Sequence, residues 1–385
     1  MIHADASRPT LDPLLTKLVD MKGSDLYLTV GCAPSVRLSD RIVPIAPQPL
    51  DDADMERVIA ELLDERQRQE FAVAMELNMA LPWGKSSRFR VNLFRQQEHY
   101  GLVIRRIQTD IPTIEGLHLP KLYGEIIMEK RGLILVAGPT GSGKTTSLAA
   151  MIGYRNQNGY GHIVTVEDPI EFVHHHAQCI ITQRDVGIDT ASVAVALKNV
   201  LRQRPDVVLI GEIRDTTSMA QALHFSETGH LCVATLHAGS TCQVLEAILS
   251  FFPQEKHHQV RYDLSNNLRG ILCQRLVLST DDSRVVATEI MLNRGFIRSL
   301  IQENRIKEIP EIIAKNRVEG MQTLDQALLE LYQAKVITEE VAMGESDNPA
   351  NMRLLIRQAQ APAYTELSFN KTAHNSPYSQ QGNKF

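Results

Sequence analysis

The sequence predicts an α/β protein in three parts: a small α+β domain, a parallel sheet with helices on both faces, and an all-helical C-terminal subdomain. Three observations predict it. Four near-continuous apolar runs, 133–137, 162–167, 207–211 and 231–236, are separated by helix-length segments, the pattern of strands buried on both faces. The first runs straight into Gly138-Pro139-Thr140-Gly141-Ser142-Gly143-Lys144-Thr145, a complete phosphate-binding loop. After Arg294, apolar residues recur at helical spacing with no strand between them, as in Ile297, Leu300 and Ile301 and again in Leu324, Leu328, Leu329 and Leu331.

In chain order, residues 11–21 have the spacing of an amphipathic helix and 25–30 of a strand. A helical stretch over 52–71 opens at the capping aspartates Asp51 and Asp52. An arginine-rich strand over 88–95 is followed by another over 99–107, which completes the α+β part, 1–109. Pro112 and Pro120 around Gly116 punctuate a connection, 110–122. The strand and helix alternation then occupies 123–293 and the helical subdomain 294–360. The last stretch, 361–385, is rich in Ser, Asn, Gln and Pro and has the composition of a disordered tail. There is no internal repeat.

Composition narrows the function classes. At 385 residues, 43% hydrophobic and 22% charged, the chain can bury a sizeable core. A formal net charge of −5 supplies no bulk attraction to nucleic acid, so no nucleic-acid partner is expected. The five cysteines, Cys32, Cys179, Cys232, Cys242 and Cys273, never stand at two-residue spacing, which excludes zinc-ribbon and thioredoxin-like motifs. No stretch approaches the roughly 20 apolar residues that span a bilayer, and the polar start has no signal-peptide core. These features predict a cytoplasmic protein without a transmembrane segment.

The loop carries the chemistry. Its glycines let successive backbone N–H groups turn inward around a phosphate, Lys144 brings a mobile positive charge to the β and γ oxygens, and the Thr145 hydroxyl can ligate Mg²⁺. Gly138 to Thr145, with Thr146 opening the helix behind them, form the candidate nucleotide-binding set, and the helix adds its positive dipole end.

A phosphate loop binds nucleotide; hydrolysis also needs a carboxylate that organises the metal and a group that orients water. The apolar strand 207–211 ends in Glu212, which fits the first role. The strand 162–167 ends in Glu167, followed by Asp168, Pro169 and Glu171, and Glu167 is the candidate for the second. A lone strand-end carboxylate often caps a helix; two after a phosphate loop favour catalysis. His237 ends the run 231–236 and could sense the γ-phosphate, whereas His230 begins that run at the opposite edge and could simply cap it. His174, His175 and His176 alternate in direction on an extended chain, which argues for a polar loop rather than a metal site. Arg88, Arg90, Arg95, Arg105 and Arg106 can form a solvated strand face, or some can complete an active site across an interface, as arginine fingers do.

These boxes resemble a known family. The phosphate loop, Glu167-Asp168-Pro169-Ile170-Glu171-Phe172, Gly211-Glu212-Ile213-Arg214-Asp215, and Thr228-Gly229-His230 through Thr235-Leu236-His237-Ala238 stand in the order of secretion-superfamily hexameric ATPases. More narrowly, residues 11–355 are similar to type IV pilus retraction ATPases of the PilT/PilU family. The resemblance implies a PAS-like N-terminal domain, a RecA-like ATPase domain and a homo-hexameric ring holding ATP and Mg²⁺. It implies that Glu167 is the catalytic glutamate, Glu212 the Walker B acid, His230 and His237 a His-box pair, and Arg90 and Arg105 trans-acting arginines. The implied partners are an inner-membrane pilus platform protein and, if the chain is an accessory subunit, a PilT-type ATPase; related secretion or DNA-uptake motors share the pattern. The long N-terminal extension and four-cysteine zinc site of assembly ATPases are missing, which favours retraction. Phe296-Ile297-Arg298-Ser299-Leu300-Ile301 in place of Ala-Ile-Arg-Asn-Leu-Ile, Arg204-Pro205-Asp206 in place of Asp-Pro-Asp, and Tyr27 in place of His tilt the likeness toward the PilU branch.

Overall fold

The structure, a computed structural model, describes residues 10–39, 41–83, 87–107 and 110–360. The tail expected over 361–385 lies outside the described residues.

The N-terminal part comprises α1 (Leu11–Asp20), β1 (Asp25–Thr29), β2 (Ser35–Leu38), β3 (Arg41–Pro44), α2 (Asp52–Leu62), α3 (Glu65–Ala74), β4 (Glu76–Trp83), β5 (Ser87–Gln96) and β6 (His99–Ile107). Its six strands form an antiparallel sheet in the order β3-β2-β1-β6-β5-β4. The helical stretch expected over 52–71 is two helices: after Leu63 turns extended, Asp64 and Gln67 form a fresh capping box that starts α3. Alternation along β5 buries Phe89, Val91 and Leu93 and turns Arg88 and Arg90 to the other face.

The second part adds α4 (Leu122–Ile127), β7 (Gly132–Ala137), α5 (Lys144–Asn158), β8 (Gly161–Glu167), β9 (Cys179–Asp185), α6 (Val193–Val200), β10 (Val207–Ile210), α7 (Thr216–Glu227), β11 (Leu231–Leu236), α8 (Thr241–Ser250), α9 (His257–Asn267), β12 (Leu268–Leu278) and β13 (Arg284–Leu292). Its seven-stranded sheet runs β13-β12-β7-β11-β10-β8-β9. All pairs are parallel except β12 with β13, a hairpin, so the sheet is mixed at one edge where the sequence predicted a parallel sheet throughout. Strands β7, β10 and β11 are buried at every position, which is why they read as apolar runs instead of alternating.

Beyond the hairpin lie α10 (Phe296–Gln302), α11 (Ile309–Lys315), α12 (Leu324–Gln333), α13 (Glu339–Glu345) and α14 (Pro349–Gln360). Only the last three form a separate small core, around Leu324, Leu328, Met352 and Ile356, which they share with Val277 and Ala287 of the hairpin. Helices α10 and α11 bury Ile297, Leu300, Ile309 and Ile313 in the large core of the seven-stranded sheet. Ile114 and Leu119 of the connecting segment pack into that core as well, whereas the N-terminal sheet has a separate one.

The chain leaves β7 and returns as β8 three strands away; β10 and β11 then fill the gap. Ligands of open α/β sheets bind beyond the carboxyl ends of strands at such a crossover. Ile210 is level with Val166 on one side and Ala234 on the other, and Leu236 with Ala137, so the residues following these strands emerge along one edge.

Candidate active site

That edge holds a cleft of about 480 Å³ lined by Thr140, Gly141, Lys144, Thr145, Glu167, Glu212 and His237. Gly138 enters the loop at φ 153°, and a Cβ there would lie 2.4 Å from the Gln274 carbonyl. Gly143, at φ 84°, turns the loop into α5. Both are conformations an L side chain resists. Lys144 is 8% exposed, and its Nζ donates to the Gly138 and Pro139 carbonyls at 2.8 and 2.9 Å. Burial lowers its pKa, opposed by the charges of Glu212 and Glu171. Thr145 faces the cleft, while Thr146 lines a second cavity of about 180 Å³ roofed by Gly116, Leu117 and His118.

Glu212 lies two residues past β10. One carboxylate oxygen is 2.9 Å from His237 Nε2 and the other accepts from Arg214 Nη2 at 2.6 Å. Burial alone would raise Glu212, but the hydrogen bond and charge of Arg214, with His237 and Lys144 behind them, hold it below the ordinary carboxylate range.

Glu167 is the opposite case. Thr165 Oγ1 and Gln183 Nε2 donate to its Oε1 at 2.6 and 3.2 Å, yet burial dominates and pushes its pKa up to about 7, with Asp185 and Glu171 adding their negative charge. Two carboxylates on neighbouring strands are thus driven apart, one held ionised beside cations and the other poised near neutrality.

Not every expected residue joins the cleft. His230, at the far end of the six-residue β11, is about 20 Å from His237 by strand rise; its Nδ1 lies 3.1 Å from the Thr228 hydroxyl. Arg90 and Arg105 are direct partners on β5 and β6, so both project from one face of the N-terminal sheet. Arg105 Nε donates at 2.8 Å to Asp25, whose side chain is 5% exposed. The charge of Arg90 opposes the rise that burial imposes on Asp185, the β9 residue level with Glu167.

Sequence reasoning passed over Thr165 and Gln183, gave Arg214 no role beyond its place in the box around Glu212, and read His174 as part of a polar loop. The first was available from strand periodicity, since residues two apart share a face. Gln183 required β9 to be recognised. His174 lines the cleft, and burial lowers it to about 4 with His175 adding its charge; among the described residues no cluster of three metal-ligating side chains occurs, and His176 instead accepts from the Ile181 amide.

A phosphate loop feeding a helix, beside strand-end carboxylates of divergent acidity, defines a P-loop ATPase. A family model described as Type II/IV secretion system protein matches residues 62–368, and the chain belongs to that family. It is 45% identical to the type IV pilus ATPase PilU of Pseudomonas aeruginosa over 90% of this chain and 91% of that one. To the type IV pilus retraction ATPase PilT of the same organism it is 38% identical over 85% of this chain and 95% of that one. The crystal structure of the pilus retraction motor PilT with bound ADP superposes with a TM-score of 0.84 at 35% identity, covering 90% of this chain and all of that one. Within the family the chain is a PilT/PilU-type ATPase, more similar to this PilU than to this PilT.

Proposed function

We propose that this protein is a Mg²⁺-dependent ATPase that works as a homo-hexameric ring on the cytoplasmic side of the inner membrane and drives type IV pilus retraction against a membrane platform protein. The observation that carries this reading is the convergence of the loop, Glu167, Glu212 and His237 on one cleft. The domain division that goes with it is 1–109, a linker 110–122, an ATPase core 123–293, a helical subdomain 294–360 and a tail 361–385. Among the described residues no helix is long and apolar enough to cross a membrane.

In this mechanism the loop amides and Lys144 bind the β and γ phosphates. The small cavity beside Thr146 takes the nucleoside end. The oxygen donors Thr145 and Glu212 suit a hard cation that keeps several waters, so they would hold Mg²⁺. The metal would neutralise charge developing between the β and γ phosphates. Glu167, raised toward neutrality and aimed into the cleft, accepts the proton of the attacking water. His237 and Arg214, both on Glu212, report loss of the γ-phosphate to the loop behind β11. Arg90 and Arg105 complete the site from a neighbouring subunit, and His230 belongs to the subunit contact.

The test is Mg²⁺-dependent ATP turnover of the purified protein alongside its mass in solution. A hexamer whose turnover disappears in Lys144→Ala supports the motor; a monomer without turnover refutes it. The greater likeness to PilU than to PilT favours a second reading, a subunit assisting a separate PilT-type ATPase. Rescue of twitching in a deletion strain by Glu167→Gln would establish that one.

A further inference from the structure

His237 sits at the head of a short turn, 238–240, that leads into α8, and α8 packs back across β12 and β13, on the far side of β7 from β11. The helix already has an N-cap: Ser240 Oγ accepts from the Gln243 amide, and Gln243 Oε1 in turn takes the Gly239 amide at 2.9 Å. A second acceptor is nevertheless buried at the same end. Glu289, on β13 and only 7% exposed, takes the Thr241 amide on Oε1 at 2.6 Å. A buried carboxylate is costly where an apolar strand residue would serve packing alone, and a helix start is where its charge is best tolerated.

The surroundings extend the contact. Cys273 is the cross-strand partner of Glu289, and Arg275, two residues along on the same face, lies beside Gly239, where an added Cβ would be 4.0 Å from its Nη2. Arg275 donates to the Glu345 carbonyl and, at 3.1 Å, to Asp347. The turn behind His237 is therefore held at Thr241 by Glu289, while Arg275, on the same face, ties the hairpin to the link between α13 and α14.

We infer that Glu289 is a positioning residue for ATP hydrolysis: by holding the Thr241 amide it fixes the 238–240 turn and, through it, the approach of His237 to Glu212. This rests on the assignment of His237 to the hydrolytic site. Residues that orient a reacting group through one intermediary lower activity without weakening substrate binding.

The experiment is a double-mutant cycle on the assembled protein. Glu289→Ala is expected to lower kcat by about tenfold with KM for ATP and the mass in solution unchanged, and Glu289→Gln, which keeps an oxygen acceptor, to restore most of it. In a His237→Ala background Glu289→Ala is expected to add nothing. Equal losses in both backgrounds, or no loss at all, overturn the inference. Thr241→Pro is the second probe: proline is well accepted at the first helical position but cannot donate the hydrogen bond, and it should reproduce the same cycle. Failure of both variants to assemble would make Glu289 a folding residue and also overturn it. Parental turnover in His237→Ala alone would instead remove the assignment on which the inference rests.

Discussion

The two sheets of this chain distribute charge in opposite ways. In the seven-stranded sheet the central strands β7, β10 and β11 are buried along their length and the chain turns polar where they end, so Lys144, Glu167, Glu212 and His237 gather at one edge. In the N-terminal sheet polar residues alternate along the strands, and Arg90 and Arg105 stand as cross-strand partners on one face. Burial on both faces leaves a strand only its ends for chemistry, which concentrates a site; a half-covered antiparallel sheet presents its charges along its whole length, which suits reaching another surface. One sheet should hold the reaction, and the other should lend charge to it.

Removing the loop's cation tests that division at its strongest. Lys144→Ala should cost more than about a thousandfold in ATP turnover, measured as phosphate release, because it strips charge from both bound and transferring phosphates. Glu167→Gln should cost about a thousandfold while ATP still binds, as loss of a proton acceptor does; parental turnover would move the base elsewhere. The same variant carries a stability signature. A carboxyl raised to about 7 in the fold stabilises it while protonated, and that contribution is lost as pH rises through about 7. Glu167→Gln should therefore melt higher than the parent at pH 8, with the difference shrinking at pH 6.

The arginines come next. Arg90→Ala and Arg105→Ala should each lower turnover by about a hundredfold. Mixing Arg90→Ala subunits with Lys144→Ala subunits in equal amounts then distinguishes the two routes by which the N-terminal sheet could lend its charge. If Arg90 acts on a neighbour, about a quarter of ring interfaces combine an intact loop with an intact arginine, and activity returns in proportion. If activity stays absent, Arg90 serves its own chain through Asp185.

What the sequence made legible follows the same contrast. Strands buried on both faces announce themselves as apolar runs, and β7, β8, β10 and β11 stand within a residue of their expected bounds. Glu167, Glu212 and His237 were found because a polar residue closing such a run has little other reason to be there. The strands at both edges of the same sheet were passed over. β9 is exposed at Ile180 and polar at Gln183 and Arg184, and the hairpin β12–β13 carries Gln274, Arg275 and Glu289 among its apolar residues. Their alternation was weaker, and with β9 went Gln183. In the N-terminal part the break between α2 and α3 rests on one capping box, Asp64 with Gln67, which a helical reading of 52–71 runs through. The surroundings of Arg90 and Arg105 depend on how the two sheets meet, which no local pattern encodes.

The smallest effect concerns the edge strand that sequence reasoning missed. Gln183 reaches from β9 to Glu167 at 3.2 Å and to the Phe172 carbonyl at 2.9 Å, so it both stabilises the ionised carboxylate and ties it to the turn that follows β8. Its hydrogen bond lowers a pKa that burial has raised, and without it that pKa must rise further. In the proposed mechanism Glu167 works as the carboxylate, so kcat/KM should climb with pH through about 7 in the parent. In Gln183→Leu the limb should move to higher pH, with a loss of about two- to threefold at neutrality that disappears above the limb. A loss of equal size at every pH would mean that Gln183 only shapes the turn. A limb that persists unchanged in Glu167→Gln would mean that the titrating group is not Glu167, and the two carboxylates of the active edge would have to exchange their roles.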